Sequence, residues 1–476
     1  MKQAINKNRI LLLLALAQFI VVLDSSIVNI ALPLISKELH FSPENLQWVV
    51  TAYTLTFGGF LLLGGRAADL FGRRRTFMIG LIGFTLMSLL AGLSQSSGML
   101  IVFRAIQGLA AAFMSPAALS IVVSTFKEGA ERNRALGVWG GVAAGGAAAG
   151  LLFGGVLTEY FGWRWDFFVN VPIGLALAYF VPKFIPESKA DLDHKHLDLP
   201  GAVFATTGLM TLVYGLVKAP EYGWGDSKSI LLIGGALVLL AAFIINEKRS
   251  KHPLMPLSIF SIRNLRGANL AQLPITASMF AMFFFISLYV QTILGYSPIR
   301  SGLAFLPVTI VIGIVSAIAS RFIARVGYKL PMTIGPVFIA VAMLFFSRLE
   351  VGSTYLAHVL PGLIILALGL GMTFVSVTIA ATSGVPKHES GLASGILNTS
   401  QQIGGALGLA VLSGIYASSV KDAAMTGADA AHAQVAGYQD AFIVAAGIAL
   451  AASLISAFAV KHVKGERHES EAIVAH

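Results

Sequence analysis

The stretch Gly65-Arg66-Ala67-Ala68-Asp69-Leu70-Phe71-Gly72-Arg73-Arg74-Arg75 stands between two apolar runs, at about 47–67 and about 76–96. Each run is close to the roughly 20 residues that a helix needs to cross a hydrocarbon core about 30 Å thick. This short stretch must therefore turn the chain round at a membrane surface. Topology alone accounts for the arginines, because cytoplasmic turns collect Lys and Arg. It asks for neither glycine nor aspartate at fixed spacing. Gly65 and Gly72 let the helices and the turn approach closely, and Asp69 can pair with Arg73 or Arg74 as an ion-pair latch.

The same pattern extends in both directions. Spanning runs occur at about 10–36, 47–67, 76–96, 99–123, 135–158, 166–185, 199–217, 229–246, 267–293, 301–325, 330–347, 357–382, 390–416 and 440–460, which predicts fourteen transmembrane helices. Apolar residues make up 56% of the chain and charged residues 12%, about half the charge that coats a soluble domain. The net charge of +10 does not point to nucleic acid, since the basic residues sit in short clusters between apolar runs. There is no cysteine, which excludes disulfides, thiol catalysis and thiolate metal sites. The first run is too long for a signal-peptide core and reads as a retained span. With cytoplasmic termini, about 25 of the 33 Lys and Arg fall on the cytoplasmic side. The expectation is a multi-pass protein of a bacterial-type plasma membrane with both ends inside.

The opening stretch has an echo. Ser320-Arg321-Phe322-Ile323-Ala324-Arg325-Val326-Gly327-Tyr328-Lys329 closes the tenth run with arginine, glycine and a final base at matching places. The fifth and thirteenth runs, both rich in glycine, correspond at the same displacement of eight helices. The predicted organisation is a six-helix bundle in residues 1–185, a linker with two additional helices in 186–266, a second six-helix bundle in 267–461 and a cytoplasmic tail in 462–476. Transporters built from repeats place their substrate site where the repeats meet, near the midplane.

The Gly65–Arg75 stretch resembles the loop signature of the major facilitator superfamily, G-x-L-A-D-x-x-G-R-[RK]-[RK], with Ala67 in place of the usual Leu. Three further stretches are similar to the fourteen-helix drug:H⁺ antiporter branch: Leu23–Pro33 (LDSSIVNIALP), Trp163–Gly174 (WRWDFFVNVPIG) and Gly391–Gly405 (GLASGILNTSQQIGG). Arg104-Ala105-Ile106-Gln107-Gly108 is similar to the family's R-x-x-Q-G motif. Gly146, Gly150, Gly154 and Gly155 resemble the antiporter motif G-x-x-x-G-P-x-x-G-G, with Leu151 where that motif has proline. The same glycines also serve close helix packing. The resemblance implies a secondary transporter, with proton-coupled export by alternating access and a small-molecule substrate. It implies no cofactor and no metal, and a monomer in the lipid bilayer.

Two ordinarily charged residues lie deep in the spans, Asp24 and Arg104. Asp24 is roughly 21 Å from the cytoplasmic start of its helix, and Arg104 is roughly 9 Å from the outer start of its own. In a core of about 30 Å they reach similar depth and can meet. Intramembrane charges are costly and functional by default. A motion that changes the pair's exposure changes its proton affinity, as coupling requires. Gln18, Asn29, Gln107, Asn398 and Gln402 are candidates for contacts in the substrate cavity. Gln18, Ser25 and Asn29 share a stripe from which Asp24 stands about 100° away. Phe280, Phe283, Phe284, Phe285 and Tyr289 could hold planar cations, but lipid-facing phenylalanine is the commoner explanation, since lipid-exposed helix faces are apolar. Asp193-His194-Lys195-His196 reads as a solvated linker rather than a metal site.

The function expected is export of amphipathic or cationic compounds. Export of one dedicated metabolite, antibiotic or lipid is the alternative. A membrane enzyme lacks its catalytic cluster here, and a sensor lacks a soluble effector domain. The absence of cysteine gives a silent background for testing topology. Cysteine placed at Ser42 or Ser97 should react with an impermeant thiol reagent in intact cells, and cysteine at Ser188 or His388 should not. Labelling of Ser188→Cys from outside contradicts the fourteen-helix topology.

Overall fold

The computed structural model describes residues 7–127, 130–189, 198–223, 225–251, 253–386 and 389–461, and among these every regular element is helical. A helix satisfies its backbone N–H and C=O groups within one segment, which a chain in hydrocarbon requires. Thirteen helices are long and apolar enough to cross a membrane, and Ala130–Phe161, with 32 residues, is a fourteenth of spanning length. In chain order they are α1 (Lys7–Glu38), α2 (Trp48–Phe71), α3 (Arg73–Gly92), α4 (Ser97–Thr125), α5 (Ala130–Phe161), α6 (Trp165–Phe184), α7 (Leu199–Tyr222), α8 (Ser227–Arg249), α9 (Arg263–Thr292), α10 (Pro298–Ile323), α11 (Lys329–Phe346), α12 (Tyr355–Thr382), α13 (Ser390–Met425) and α14 (Ala430–Ala459). An even number of spans returns the chain to the side on which it began. That side is called near, and the other far.

In the first half α1 packs on α5, α2 and α3 pack on α4, and both α1 and α3 pack on α6. Eight helices later α9 packs on α13, α10 and α11 on α12, and α9 and α11 on α14. The molecule is thus two six-helix bundles of the same internal order, with α7 and α8 inserted between them. Lipid offers no hydrophobic drive for helices to associate, so small residues that allow close approach do much of the work. Gly108 shows this. A Cβ there would run into the Tyr53 carbonyl and the Thr56 hydroxyl of α2, and that hydroxyl donates across the contact to the Ala105 carbonyl at 2.7 Å.

The inserted helices form a hairpin that rides on the seam between the bundles. Leu209, Val213 and Val217 of α7 pack among Trp48, Ala52 and Leu55 of α2 and Ala406 and Ala410 of α13. Asp198 caps α7 by accepting from Gly201 N at 2.9 Å, and Asn246 of α8 donates to both Asp198 oxygens at 2.9 and 2.7 Å. Most of α8 turns away from the protein, with Leu231, Leu237 and Val238 exposed, as suits a helix bathed in lipid.

The bundles meet closely on the far side. Ser287 Oγ donates to the Asn29 carbonyl at 2.7 Å, Gln291 Nε2 to the Ile30 carbonyl at 3.1 Å, and Ile299 N to Glu159 Oε2 at 2.9 Å. Towards the near side Val123 of α4 and Thr378 and Ile379 of α12 are exposed, and Gly137, Gly141 and Gly145 of α5 have open space beside them.

The aromatic cluster on α9 departs from the lipid-facing expectation. Phe284, Phe285 and Tyr289 are buried. The Phe285 ring meets those of Tyr416, Tyr438 and Phe442, and Tyr289 Oη donates to the Glu350 carbonyl at 2.6 Å. The physical reason is position. The helix touches α13, α14, α12 and α1, so little of its surface is left for lipid.

Candidate functional site

Five helices of the first bundle converge on one buried polar cluster. Arg104 Nη1 lies 2.5 Å from Asp24 Oδ2 and 2.8 Å from Gln107 Oε1, while Arg104 Nε donates to the Val49 carbonyl at 2.9 Å. Gln107 Nε2 donates to Asp24 Oδ1 at 2.9 Å and to Ser88 Oγ at 2.7 Å. Asn170 Nδ2 donates to the same Asp24 oxygen at 2.9 Å. Asp24, Ser88, Arg104, Gln107 and Asn170 are all fully buried. The Arg104 guanidinium also lies over the Tyr53 ring, 4.3 Å from its centroid, with Phe167 at 5.7 Å, and a desolvated cation–π contact of this kind adds about 2 kcal/mol. Burying one charge alone is prohibitive. Here the carboxylate accepts three donors, and the guanidinium is held by a carboxylate, two neutral oxygens and an aromatic face.

Part of the cluster is local in origin. Arg104 and Gln107 are one turn apart on α4 and share a face. The Gly108 contact brings α4 against α2, so Val49 and Tyr53 fall opposite the guanidinium. Asp24 and Arg104, paired in the sequence reading by depth alone, are brought into contact. Gln107, a candidate there for the substrate cavity, is fully buried in this cluster.

The other candidates lie apart. Gln18 accepts from Ser115 Oγ at 2.8 Å, joining α1 to α4 nearer the termini. Asn29 bonds its own helix, donating to the Ser25 and Ser26 carbonyls at 3.4 and 3.3 Å. Asn398 is exposed, and Gln402, one turn on, packs against Gly58 of α2 at the seam. Gly146, Gly150 and Gly154 form the face of α5 that takes α1, against Phe19, Ser26 and Ile27, while Gly155 takes Pro298 and Ile299 at the start of α10. Leu151 is buried, and α5 runs through it without a break. The stretch Asp193–His196 lies outside the described residues. Among those described, no group of three or more His, Asp or Glu is placed to hold a metal.

The turn between α2 and α3 is held within the first bundle. Asp69 Oδ1 pairs with Arg73 Nη2 at 3.2 Å and accepts from Ser120 Oγ of α4 at 3.4 Å. Gly72 has φ +111°, a left-handed conformation open to glycine. Gly65 stands beside Pro116. Arg74 reaches the Ile185 carbonyl at 3.1 Å, and Glu187 accepts from the backbone N–H of Arg74 and of Arg75, each at 3.0 Å. A carboxylate on the first N–H groups of a helix satisfies donors with no intrahelical partner and complements the helix dipole.

Sequence reasoning missed four residues of these networks: Ser88, Asn170, Glu187 and Asp166. Asp166, at the far end of α6, is a further ordinarily charged residue that is fully buried. Its Oδ2 accepts from Thr158 Oγ1 at 2.6 Å and its Oδ1 has no hydrogen-bond partner. The signal for Asp166 and Asn170 was their spacing of four in the Trp163–Gly174 stretch, which puts both on one face of α6.

A family model described as the Major Facilitator Superfamily matches residues 14–409. The chain is 40% identical over 454 residues to a puromycin resistance protein of Streptomyces alboniger, covering 94% of this chain and 90% of that one. It is 38% identical over 450 residues to a cephamycin export protein of Amycolatopsis lactamdurans, covering 94% and 91%. Among solved structures it superposes on an autoinhibited peptide transporter of the POT family with TM-score 0.72 and 17% identity, covering 96% and 98% of the two chains. A bacterial homologue of the human lysosomal transporter Spinster, inward-facing and unoccupied, gives TM-score 0.67 and 15% identity, covering 95% and 96%.

Removing one partner from a buried ion pair strands the other, at a cost of about 3–5 kcal/mol. Arg104→Gln and Asp24→Asn should each lower the thermal unfolding temperature in detergent. The double variant should be more stable than the sum of the two losses predicts. Simple additivity in this cycle would show that the two residues do not stabilise each other.

Proposed function

The chain belongs to the Major Facilitator Superfamily, and on that footing we propose that it expels small amphipathic compounds, antibiotics among them, in exchange for protons. The buried Asp24–Arg104 pair is the observation that carries this reading. It is the one ion pair among the described residues with both side chains fully buried, and its carboxylate is a group that a proton can neutralise. In the proposed cycle Asp24 binds and releases the proton, and Arg104 with Gln107 and Asn170 sets how readily it does so. Loss of the charge on Asp24 loosens its hold on Arg104, and so changes the balance between two packed arrangements of the bundles.

The near side is assigned to the cytoplasm of a bacterial-type cell, where the Lys and Arg bias puts it. With far-side contacts made and near-side helix ends exposed, the molecule is then open to the cytoplasm. The bundles are assigned to residues 1–185 and 267–461, with 186–266 carrying the inserted hairpin, and the transporter acts as a monomer. The Asp69–Arg73 pair and its glycines steady the turn that must move when the near side closes. Gly146, Gly150, Gly154 and Gly155 let α5 slide against α1 and α10. Gln18, Asn29, Asn398 and Gln402 stand at or near surfaces that alternate access exposes. A dedicated exporter of one antibiotic is a second reading. It is supported by the relatives, whose names specify puromycin and cephamycin.

The test is proton movement in proteoliposomes on addition of puromycin or ethidium. Wild-type protein should exchange protons for either compound or for one of them. Asp24→Asn should lose efflux driven by a pH gradient yet keep binding of uncharged substrates. If Asp24→Asn still exchanges protons at the wild-type ratio, Asp24 is a structural residue and the proposed mechanism is wrong.

A further inference from the structure

The buried chemistry of the first bundle includes one permanent cation and two carboxyls. Arg104 is paired with Asp24, which also takes the amides of Gln107 and Asn170. Asp166 has no such company. Its side chain is fully buried, Thr158 supplies one donor, and Oδ1 is left without a partner. A second carboxylate would give the cluster a net negative charge in apolar surroundings, where an unpaired ion neutralises itself by binding a proton.

The neighbours of Asp166 give its side chain no hydrogen bond besides that of Thr158. From α1 it is faced by Asp24, with Lys37 and Glu38 at that helix's far end, where Glu38 is held by Arg164 and Trp163 at 2.6 and 2.8 Å. From α5 it is faced by Thr158, while Glu159 is engaged with Ile299 N and Tyr160 is exposed. The far half of α3 carries no titratable side chain. From α4 the one charge is Arg104, which meets Asp24 through Nη1 and whose Nη2 has no hydrogen-bond partner.

Asn170, one turn along α6, completes the arrangement. Its amide nitrogen is on Asp24, and its Oδ1 is a second buried acceptor with no donor. A proton on Asp166 converts an unpartnered acceptor into a donor, on the helix face that carries the acceptor in need of one. The far end of α6 thus places a carboxyl one turn from the amide that holds the Asp24 carboxylate.

We propose that Asp166 is a second proton-carrying carboxyl, a far-side relay that loads Asp24. This rests on the proton-exchange reading above. In the near-open arrangement Asp166 holds a proton while Asp24 is ionised against Arg104. When the far side opens and Asp24 leaves Arg104, the Asp166 O–H bond breaks and an O–H bond forms on Asp24, with no change in net charge. A proton from far-side water then reloads Asp166. Asp166 acts through Asp24 and need not touch the transported compound.

The relay is tested by varying the pH on the far side of right-side-out membrane vesicles and following puromycin or ethidium transport. Asp166→Asn should need at least about tenfold more far-side acid for half-maximal exchange, whereas proton release on addition of the compound to purified protein stays at the wild-type level. Asp166→Glu should restore the wild-type pH dependence. Infrared difference spectra give an independent readout that does not need turnover. Wild-type protein at neutral pH should show a protonated-carboxyl C=O band absent from Asp166→Asn, and Thr158→Val, which deletes the donor, should move that band to higher frequency. Unchanged far-side pH dependence in Asp166→Asn, or no such band in the wild type, overturns the relay. A wild type that moves no protons with either compound defeats the exchange reading itself, and the relay with it.

Discussion

A guanidinium and a carboxylate held 2.5 Å apart, with no water-exposed surface on either, set the terms for the rest of the first bundle. Each charge is tolerable only while the other is present and the remaining donors and acceptors are largely met, Arg104 Nη2 being the one atom of the pair without a hydrogen-bond partner. Meeting them takes α1 for Asp24, α2 for the Val49 carbonyl and the Tyr53 ring, α3 for Ser88, α4 for Arg104 and Gln107, and α6 for Asn170. Five helices are therefore tied at one point, by directional bonds that do not slide. While Asp24 is charged, those five helices are held together.

Among its described residues the second bundle has no fully buried ion pair. Its interior packs rings, with Phe285 against Tyr416, Tyr438 and Phe442 and Tyr416 against Tyr438. The proton chemistry of the account sits in one half, and the other half responds through the seams. The link is α1, where Asp24 is followed by the Asn29 and Ile30 carbonyls that take Ser287 and Gln291 of α9. Between them Ser25 and Ser26 bond back to the Val22 carbonyl at 2.8 and 3.1 Å. Such back-bonding weakens and bends helices. A change at Asp24 thus reaches the far-side seam through a back-bonded stretch of its own helix.

Much of this was legible in the chain because a charge in an apolar run is rare and costly. Asp24 and Arg104 stood out for that reason, and their depths followed from helix rise alone. The fold followed from the runs and from the echo between Gly65–Arg75 and Ser320–Lys329. Asn170 and Ser88 did not stand out, since uncharged polar residues are ordinary in such helices and only the fold shows what they face. Asp166 was hidden by its neighbours. Beside Trp163, Arg164 and Trp165 it looked like an interfacial charge, and only the packing of α6 against α5 and α3 shows it sealed from water. Glu187 lay outside every apolar run, so nothing in the pattern tied it to the first turn of α3. The aromatic residues of α9 were misread because composition does not tell a central helix from a peripheral one.

The central claim is that protonation of Asp24 biases which side of the molecule is open. Spin labels at Val123→Cys on α4 and Ile379→Cys on α12 report the near-side mouth in an otherwise cysteine-free chain. The account predicts two distance populations whose ratio shifts with pH in the wild type, and a shift that is largely lost in Asp24→Asn. An equal pH response in both proteins would contradict it.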